Sequence, residues 1–262
     1  MRIEAGIFEM HQLNYAGYDI EIIFQGFPGK AVCHGNLGWS TVALLRGHGR
    51  IVLLDTGSMG MRRVLIQRLA SYGVSPQQVT DVLLTHSHHD HSINWTLFSK
   101  ARIVIGEIEL GWSLQQPWGE TSVPELYMSE LRSWPTLQVV ADGEEILPEI
   151  TVHLAPGHTP GSLVYKLRGA QNDVVFTGDA AKNRAELVSR STDMTYDPAV
   201  SAESIRMIWE LWKQRPGTIV VPGHDIPVVQ EDGTARYITD REAAIRTWFG
   251  DDIETMKTFN LV

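Results

Sequence analysis

Thr85-His86-Ser87-His88-His89-Asp90-His91 is the stretch on which the reading of this chain turns. It follows the apolar run Val82-Leu83-Leu84. It offers His86, His88, Asp90 and His91 as lone-pair donors to a borderline-soft metal ion, in the pattern H-x-H-x-D-H. Residues two apart point to opposite sides of a helix, so His86 and His88 can share an ion only on extended backbone. The stretch is therefore expected on a loop at the carboxyl end of a buried strand. His89 occupies the filler position and is expected to point away.

Three later spots repeat one grammar, a strand followed by glycine beside a chelating side chain. They are Ala155-Pro156-Gly157-His158-Thr159-Pro160-Gly161-Ser162, Thr177-Gly178-Asp179-Ala180, and Val221-Pro222-Gly223-His224-Asp225. Glycine lets the backbone turn sharply and approach a ligand closely. Each spot alone reads equally well as a turn or a helix cap. Their joint occurrence after H-x-H-x-D-H carries the signal.

Composition sets the limits. A chain of 262 residues with 43% apolar and 20% charged residues is that of an ordinary globular protein, large enough for one sizeable core. The formal net charge of -9 argues against a nucleic-acid partner, which calls for a cationic footprint. Cys33 is the only cysteine, so no internal disulfide forms, and a thiolate-built structural zinc site is excluded. The start, Met1-Arg2-Ile3-Glu4-Ala5-Gly6, lacks the apolar run of a signal peptide, and no stretch approaches a membrane span. A cytoplasmic protein with no membrane partner is expected.

Read in order, the chain predicts strands over residues 19–25, 40–46, 51–54, 82–85, 101–105, 150–154, 162–167, 173–177 and 218–221. The run Ile51-Val52-Leu53-Leu54 looks buried on both faces and ends at Asp55-Thr56-Gly57. Met61, Val64, Leu65, Leu69 and Tyr72 predict a helix closed by Gly73. Ile205, Ile208, Trp209 and Trp212 predict another, with Ser201 as its N-cap. The tail from Asp240 reads as an amphipathic helix through Ala243, Ile245 and Trp248. Residues 106–136 read as an aromatic-rich helical insertion. Its Trp112, Trp118, Tyr127 and Trp134 either pack into the core or form a wall over a pocket. Strand-rich halves closed by helices place sheets in the middle and helices outside.

Taken together, these motifs resemble the metallo-β-lactamase superfamily of metal-dependent hydrolases, from about Asp19 to Val229. The resemblance implies an α/β fold, a four-layer αβ/βα sandwich forming a single domain over residues 1–262. It implies that His86, His88 and His158 hold one ion, that Asp90, His91 and His224 hold a second, and that Asp179 bridges both. Asp55 matches the family's carboxylate behind the ligands, a role that suits the N–H which metal-bound imidazoles turn outward. His11, His34, His48 and His153 lack this context and read as packed or solvated.

Seven candidate ligands, His86, His88, Asp90, His91, His158, Asp179 and His224, exceed the needs of one tetrahedral zinc. Two ions about 3.5–4 Å apart can activate a shared water and clamp both the attacked and the leaving oxygen. Asp90 is the candidate for moving the proton. The expectation is a dinuclear hydrolase that opens a lactone or cleaves a carboxylic ester. Its cofactors would be two divalent ions, zinc first, with manganese, cobalt or iron also suited to this donor set. The expected partner is a small-molecule ester or lactone, and a homodimer is left open.

Within the superfamily the chain is most similar to the acyl-homoserine lactonase group, through Thr85 to His91, Pro156 to Ser162, and Thr177-Gly178-Asp179-Ala180-Ala181 leading into Arg184-Ala185-Glu186-Leu187. Lys182 departs from that group, which often carries a tyrosine there. A lysine could donate to an oxyanion or meet a substrate carboxylate, or it could simply be solvated at a helix start. The alternatives are a thioester hydrolase of the glyoxalase II type and an iron-dependent redox enzyme on the same ligands. The acidic tail Asp251-Asp252-Ile253-Glu254 weighs against the first.

Overall fold

The computed structural model describes residues 14–15, 17–35 and 37–262. His11 and residues 1–6 lie outside that range.

Two seven-stranded sheets form the centre of the protein. In the first the strands run in chain order: β1 Asn14–Tyr15, β2 Tyr18–Phe24, β3 Val42–Gly47, β4 Arg50–Leu54, β5 Asp81–Leu83, β6 Arg102–Gly106 and β7 Leu137–Val140. The second also keeps chain order: β8 Glu145–Leu147, β9 Ile150–Leu154, β10 Leu163–Leu167, β11 Val174–Gly178, β12 Ile219–Pro222, β13 Val228–Glu231 and β14 Thr234–Tyr237. Parallel pairing occurs where a helix or long connection intervenes, among β4, β5, β6 and β7 and between β11 and β12.

Alternation along the strands makes the layers. On β3 and β4, Ala43, Leu45, Val52 and Leu54 turn toward the opposite sheet and meet Val152, Tyr165 and Phe176. Val42, Leu44 and Leu53 turn the other way, onto Leu65 and Leu69 of helix α1, Arg62–Ser71. On the far side Val164, Val175 and Val220 pack against Ile205, Ile208, Trp209 and Trp212. The order is helices, sheet, sheet, helices, in a single domain, as the continuous apolar run at residues 51–54 implies.

The insertion is helical. After α2, the short turn His89–Ser92, come α3, Glu107–Ser113, and α4, Glu125–Leu131. Both readings of its aromatics apply, each to a different residue. Trp134 stacks edge-on against buried Trp95 and Tyr127 packs on the same cluster, whereas Trp112 lies beside His88 and Trp118 is exposed.

Several elements differ from the sequence reading. Helix α5 spans Arg184–Ser189 and α6 spans Pro198–Lys213. The N-cap of α6 is Asp197, which accepts from Ala199 N and Val200 N, not Ser201. Asp197-Pro198 combines the two strongest start signals, and Ser201 lies buried one turn inside. The tail is not a helix but the hairpin β15, Ala244–Thr247, with β16, Lys257–Asn260. Ile245 and Thr247 favour extended backbone, and Gly250 interrupts any helix between the strands. Strands β1, β7, β8, β13 and β14 lie outside the predicted set, because each is only two to four residues long, too short for an alternating pattern to show. Among the described residues no helix is long and apolar enough to cross a membrane.

Phe176 is 2% exposed and sits between the sheets. Phe176→Ala is expected to cost about 3–5 kcal/mol within one cooperative transition. Urea unfolding followed by tryptophan fluorescence and by far-ultraviolet circular dichroism should coincide; two separated transitions would contradict a shared core.

Candidate metal centre

The histidine stretch leaves the carboxyl end of β5, as its spacing requires, and then departs from a plain loop. His88 is extended, with φ -60° and ψ 148°, so His86 and His88 fall on one side. From His89 the chain winds into α2, which brings Asp90 and His91 round toward the same cleft. Ser92 Oγ, donating to the carbonyls of Ser87 and His88, stabilises that turn. His89 is exposed, as its filler position predicts.

The other spots converge on this turn. His158 follows β9, Asp179 follows β11 and His224 follows β12. The ligand atoms of His86, His88 and His158 lie within 4.8 Å of one another. So do those of His86, His91 and Asp179, and those of Asp90, His91 and His224. His158 Nε2 is 3.0 Å from His88 Nδ1, and His91 Nε2 is 3.2 Å from His224 Nε2. Asp179 lies between them. Its Oδ2 is 3.3 Å from His158 Nε2, and its Oδ1 is 3.1 Å from His91 Nε2 and 3.3 Å from His224 Nε2. Gly223 makes room for this, since a Cβ there would come within 2.3 Å of Asp179 Oδ1. All seven predicted side chains therefore meet in one cup. His34, His48 and His153 lie apart from it.

Asp55 sets the orientation of the rings. It sits just past β4 at φ 55°, a left-handed conformation that costs a non-glycine residue about 1–3 kcal/mol. Its Oδ2 accepts from His91 Nδ1 at 2.7 Å and from Thr85 Oγ1 at 2.8 Å, while its Oδ1 accepts from Thr85 N at 2.8 Å. The Thr85 hydroxyl hydrogen is thereby committed. His86 Nδ1, 3.1 Å from Thr85 Oγ1, must therefore be the donor in that contact. His86 Nε2 is then a bare lone pair aimed at the cup, fully buried and without a hydrogen-bond partner. A buried acceptor left in this state costs about 1–3 kcal/mol, which a cation would remove. The donor set thus fits a divalent metal. The Thr85 relay was missed from the sequence, where its only trace is a hydroxyl residue directly before the first histidine.

Electrostatics divide the cup. Burial keeps the first trio neutral, pushing His86 well below its ordinary value, His88 down to about 4 and His158 down to about 3. Burial acts the same way on His91 and His224, but the Asp179 and Asp90 carboxylates outweigh it, lifting His224 to about 9 and His91 well above its ordinary value. Burial also opposes ionisation of Asp90 and Asp179; the neighbouring His91 and His224 overcome it and hold both carboxyls below their usual range.

Lys182 is neither solvated nor free. Its ammonium lies 3.0 Å from Glu186 Oε1 and donates to the Asp193 carbonyl at 2.6 Å. Trp112 rests against His88, ring centroids 6.3 Å apart, and against Tyr196 at 6.2 Å, so it lines the rim of the cup. Tyr196, whose backbone N–H donates to the His158 carbonyl at 3.3 Å, gave no signal in the sequence.

Protons on His91 and His224 occupy the lone pairs a cation would need. Metal affinity is therefore expected to rise with pH from neutrality through the loss of the His224 proton at about 9. Chelator competition at several pH values checks this, and an affinity that is flat or falls across that range would contradict it.

Comparison with known proteins places these features. The chain is 29% identical over 196 residues to metallo-beta-lactamase domain-containing protein 1 of Rattus norvegicus, covering 69% of this chain and 64% of that protein. It is 23% identical over 164 residues to the N-acyl homoserine lactonase of Bacillus thuringiensis, covering 62% of each. Among solved structures, its fold is similar to that of an N-acyl homoserine lactone hydrolase with N-hexanoyl-L-homoserine at its catalytic metal centre, at TM-score 0.62 and 19% identity over 81% of this chain and 91% of that one. It is also similar to AidC, a dizinc quorum-quenching lactonase, at TM-score 0.64 and 17% identity over 87% of this chain and 92% of the other. The profile of the metallo-beta-lactamase superfamily matches residues 36–224, from before Asp55 to His224 itself. A match of that extent, over strands of both sheets and every side chain of the cup, makes this chain a member of the metallo-beta-lactamase superfamily.

Proposed function

We propose that this protein is a dinuclear metal-dependent hydrolase, with zinc as its usual metal, that opens a lactone or cleaves a carboxylic ester. The observation that carries the reading is the Asp179 carboxylate, which turns one oxygen to His158 and the other to His91 and His224. That geometry suits a ligand shared between two ions. His86, His88 and His158 would hold one, and Asp90, His91 and His224 the other. Two such cations supply a water of lowered pKa and a polarised carbonyl.

The chain's own residues do the rest. Asp90 reaches solvent, its side chain 23% exposed, with Oδ2 3.3 Å from His224 Nε2 and 3.6 Å from His91 Nε2. It takes a proton from the water that adds to the carbonyl carbon. It returns that proton to the leaving oxygen as the carbon–oxygen bond breaks. Trp112 and Tyr196 offer an apolar side for the acyl part of a substrate. Lys182 already commits two of its three N–H donors, to Glu186 and to the Asp193 carbonyl. Lactones are favoured within the ester class by the Bacillus thuringiensis relative, whose name states that activity.

Zinc-loaded protein is expected to hydrolyse N-acyl lactones or aryl esters, and Asp90→Asn to lower the rate about 10²–10⁴-fold. A panel of lactone, ester, thioester, β-lactam and phosphodiester substrates makes the check. Turnover of thioesters alone would move the assignment to that class, and turnover of none, with any metal, would overturn it.

A further inference from the structure

Asp55 stands behind one side of the cup; a second buried carboxylate stands behind the other. Glu109, on helix α3 of the insertion, is fully buried. Its Oε1 accepts from Ser87 N at 2.8 Å and from Ser87 Oγ at 2.6 Å. Its Oε2 accepts from Thr159 Oγ1 at 2.6 Å and from Gly161 N at 3.2 Å. Ser87 lies between His86 and His88, and Thr159 follows His158. One side chain therefore joins the two segments that carry the three-histidine trio, which are about seventy residues apart in the chain. The approach is close, since a Cβ on Gly161 would fall 2.1 Å from Glu109 N.

Ser87 N and Gly161 N can only donate, one to each oxygen, and the Ser87 and Thr159 hydroxyls can donate as well, so a carboxylate is fully satisfied here. Burial holds the Glu109 carboxyl above its ordinary value, and the donations from Ser87, Thr159 and Gly161 offset part of that rise. The residues that bond it, Ser87, Thr159 and Gly161, carry no charge. The charge distribution gives this anion a use. Of the trio His86, His88 and His158, Asp55 reaches only His86, and that through Thr85, while the other side has Asp90 within it and Asp55 bonded directly to His91.

We propose that Glu109 is a positioning residue for the ion held by His86, His88 and His158: it locks the two ligand segments in register and places a carboxyl group behind His88 and His158, which Asp55 does not reach. The inference rests on the two-ion reading of the cup. The insertion helix is then part of the metal centre's support and not merely a cover for it.

Titration of the metal-free protein with cobalt(II), followed by visible absorption and by chelator competition, tests this without any substrate. Wild type is expected to take up two ions. Folded Glu109→Gln, judged by circular dichroism and melting of the metal-free form, is expected to keep one step unchanged and to weaken the other about 10–100-fold. Glu109→Asp, which keeps the charge on a shorter arm, should recover part of that loss. If Glu109→Gln fails to fold, Ser87→Ala, which removes one hydroxyl donor, should weaken the same step to a smaller extent. Two unchanged steps, or equal weakening of both, would overturn the proposal. A wild type that binds fewer than two ions would sink the two-ion reading along with it. A wild type that binds two ions yet hydrolyses no ester would sink the reaction assignment and leave this inference intact.

Discussion

Three hydrogen bonds onto Asp55 organise the centre of this protein. The carboxylate holds Thr85 by backbone and hydroxyl, and it holds the imidazole of His91. Through Thr85 it also decides which nitrogen of His86 is left bare. One acidic side chain thereby fixes two tautomers and joins the ends of β4 and β5 where the histidine stretch begins. The strained backbone at Asp55 is the local cost of aiming that carboxylate.

The fold exists around that arrangement. Both sheets deliver their strand ends to one edge of the sandwich, β5 from the first and β9, β11 and β12 from the second. The apolar layer between the sheets, from Leu83 and Val104 to Tyr165 and Phe176, holds those ends in register. Backbone bonds such as Thr41 N to the Gly223 carbonyl and Leu163 N to the Thr85 carbonyl tie the sheets together beside the cup. Seven polar side chains can then face one another without protein partners enough to satisfy them, a state that a bound cation relieves.

Much of this was legible in the sequence, for identifiable reasons. Ligand chemistry restricts residue type, and the H-x-H-x-D-H spacing restricts backbone shape, so His86, His88, Asp90 and His91 declared themselves. His158, Asp179 and His224 did so through the glycines that their turns require. What stayed hidden depends on tertiary contact. Thr85 and Glu109 act through hydrogen bonds whose partners lie far along the chain, and a buried glutamate on a short helix looks like any solvated one. The tail misled because apolar residues at 243, 245 and 248 fit helical and strand spacing almost equally. The N-cap of α6 was misplaced because Ser201 offered a plausible hydroxyl, while the stronger Asp197-Pro198 pair lay a turn upstream.

The proposed reaction needs two cations, one on each side of Asp179. Crystals of zinc-loaded protein, with anomalous scattering measured on both sides of the zinc absorption edge, test that claim most directly. The account predicts two zinc peaks, one within coordinating distance of His86, His88 and His158 and one near Asp90, His91 and His224, each touching a different oxygen of Asp179. A single peak, or metal bound elsewhere with the cup filled by water alone, would contradict it.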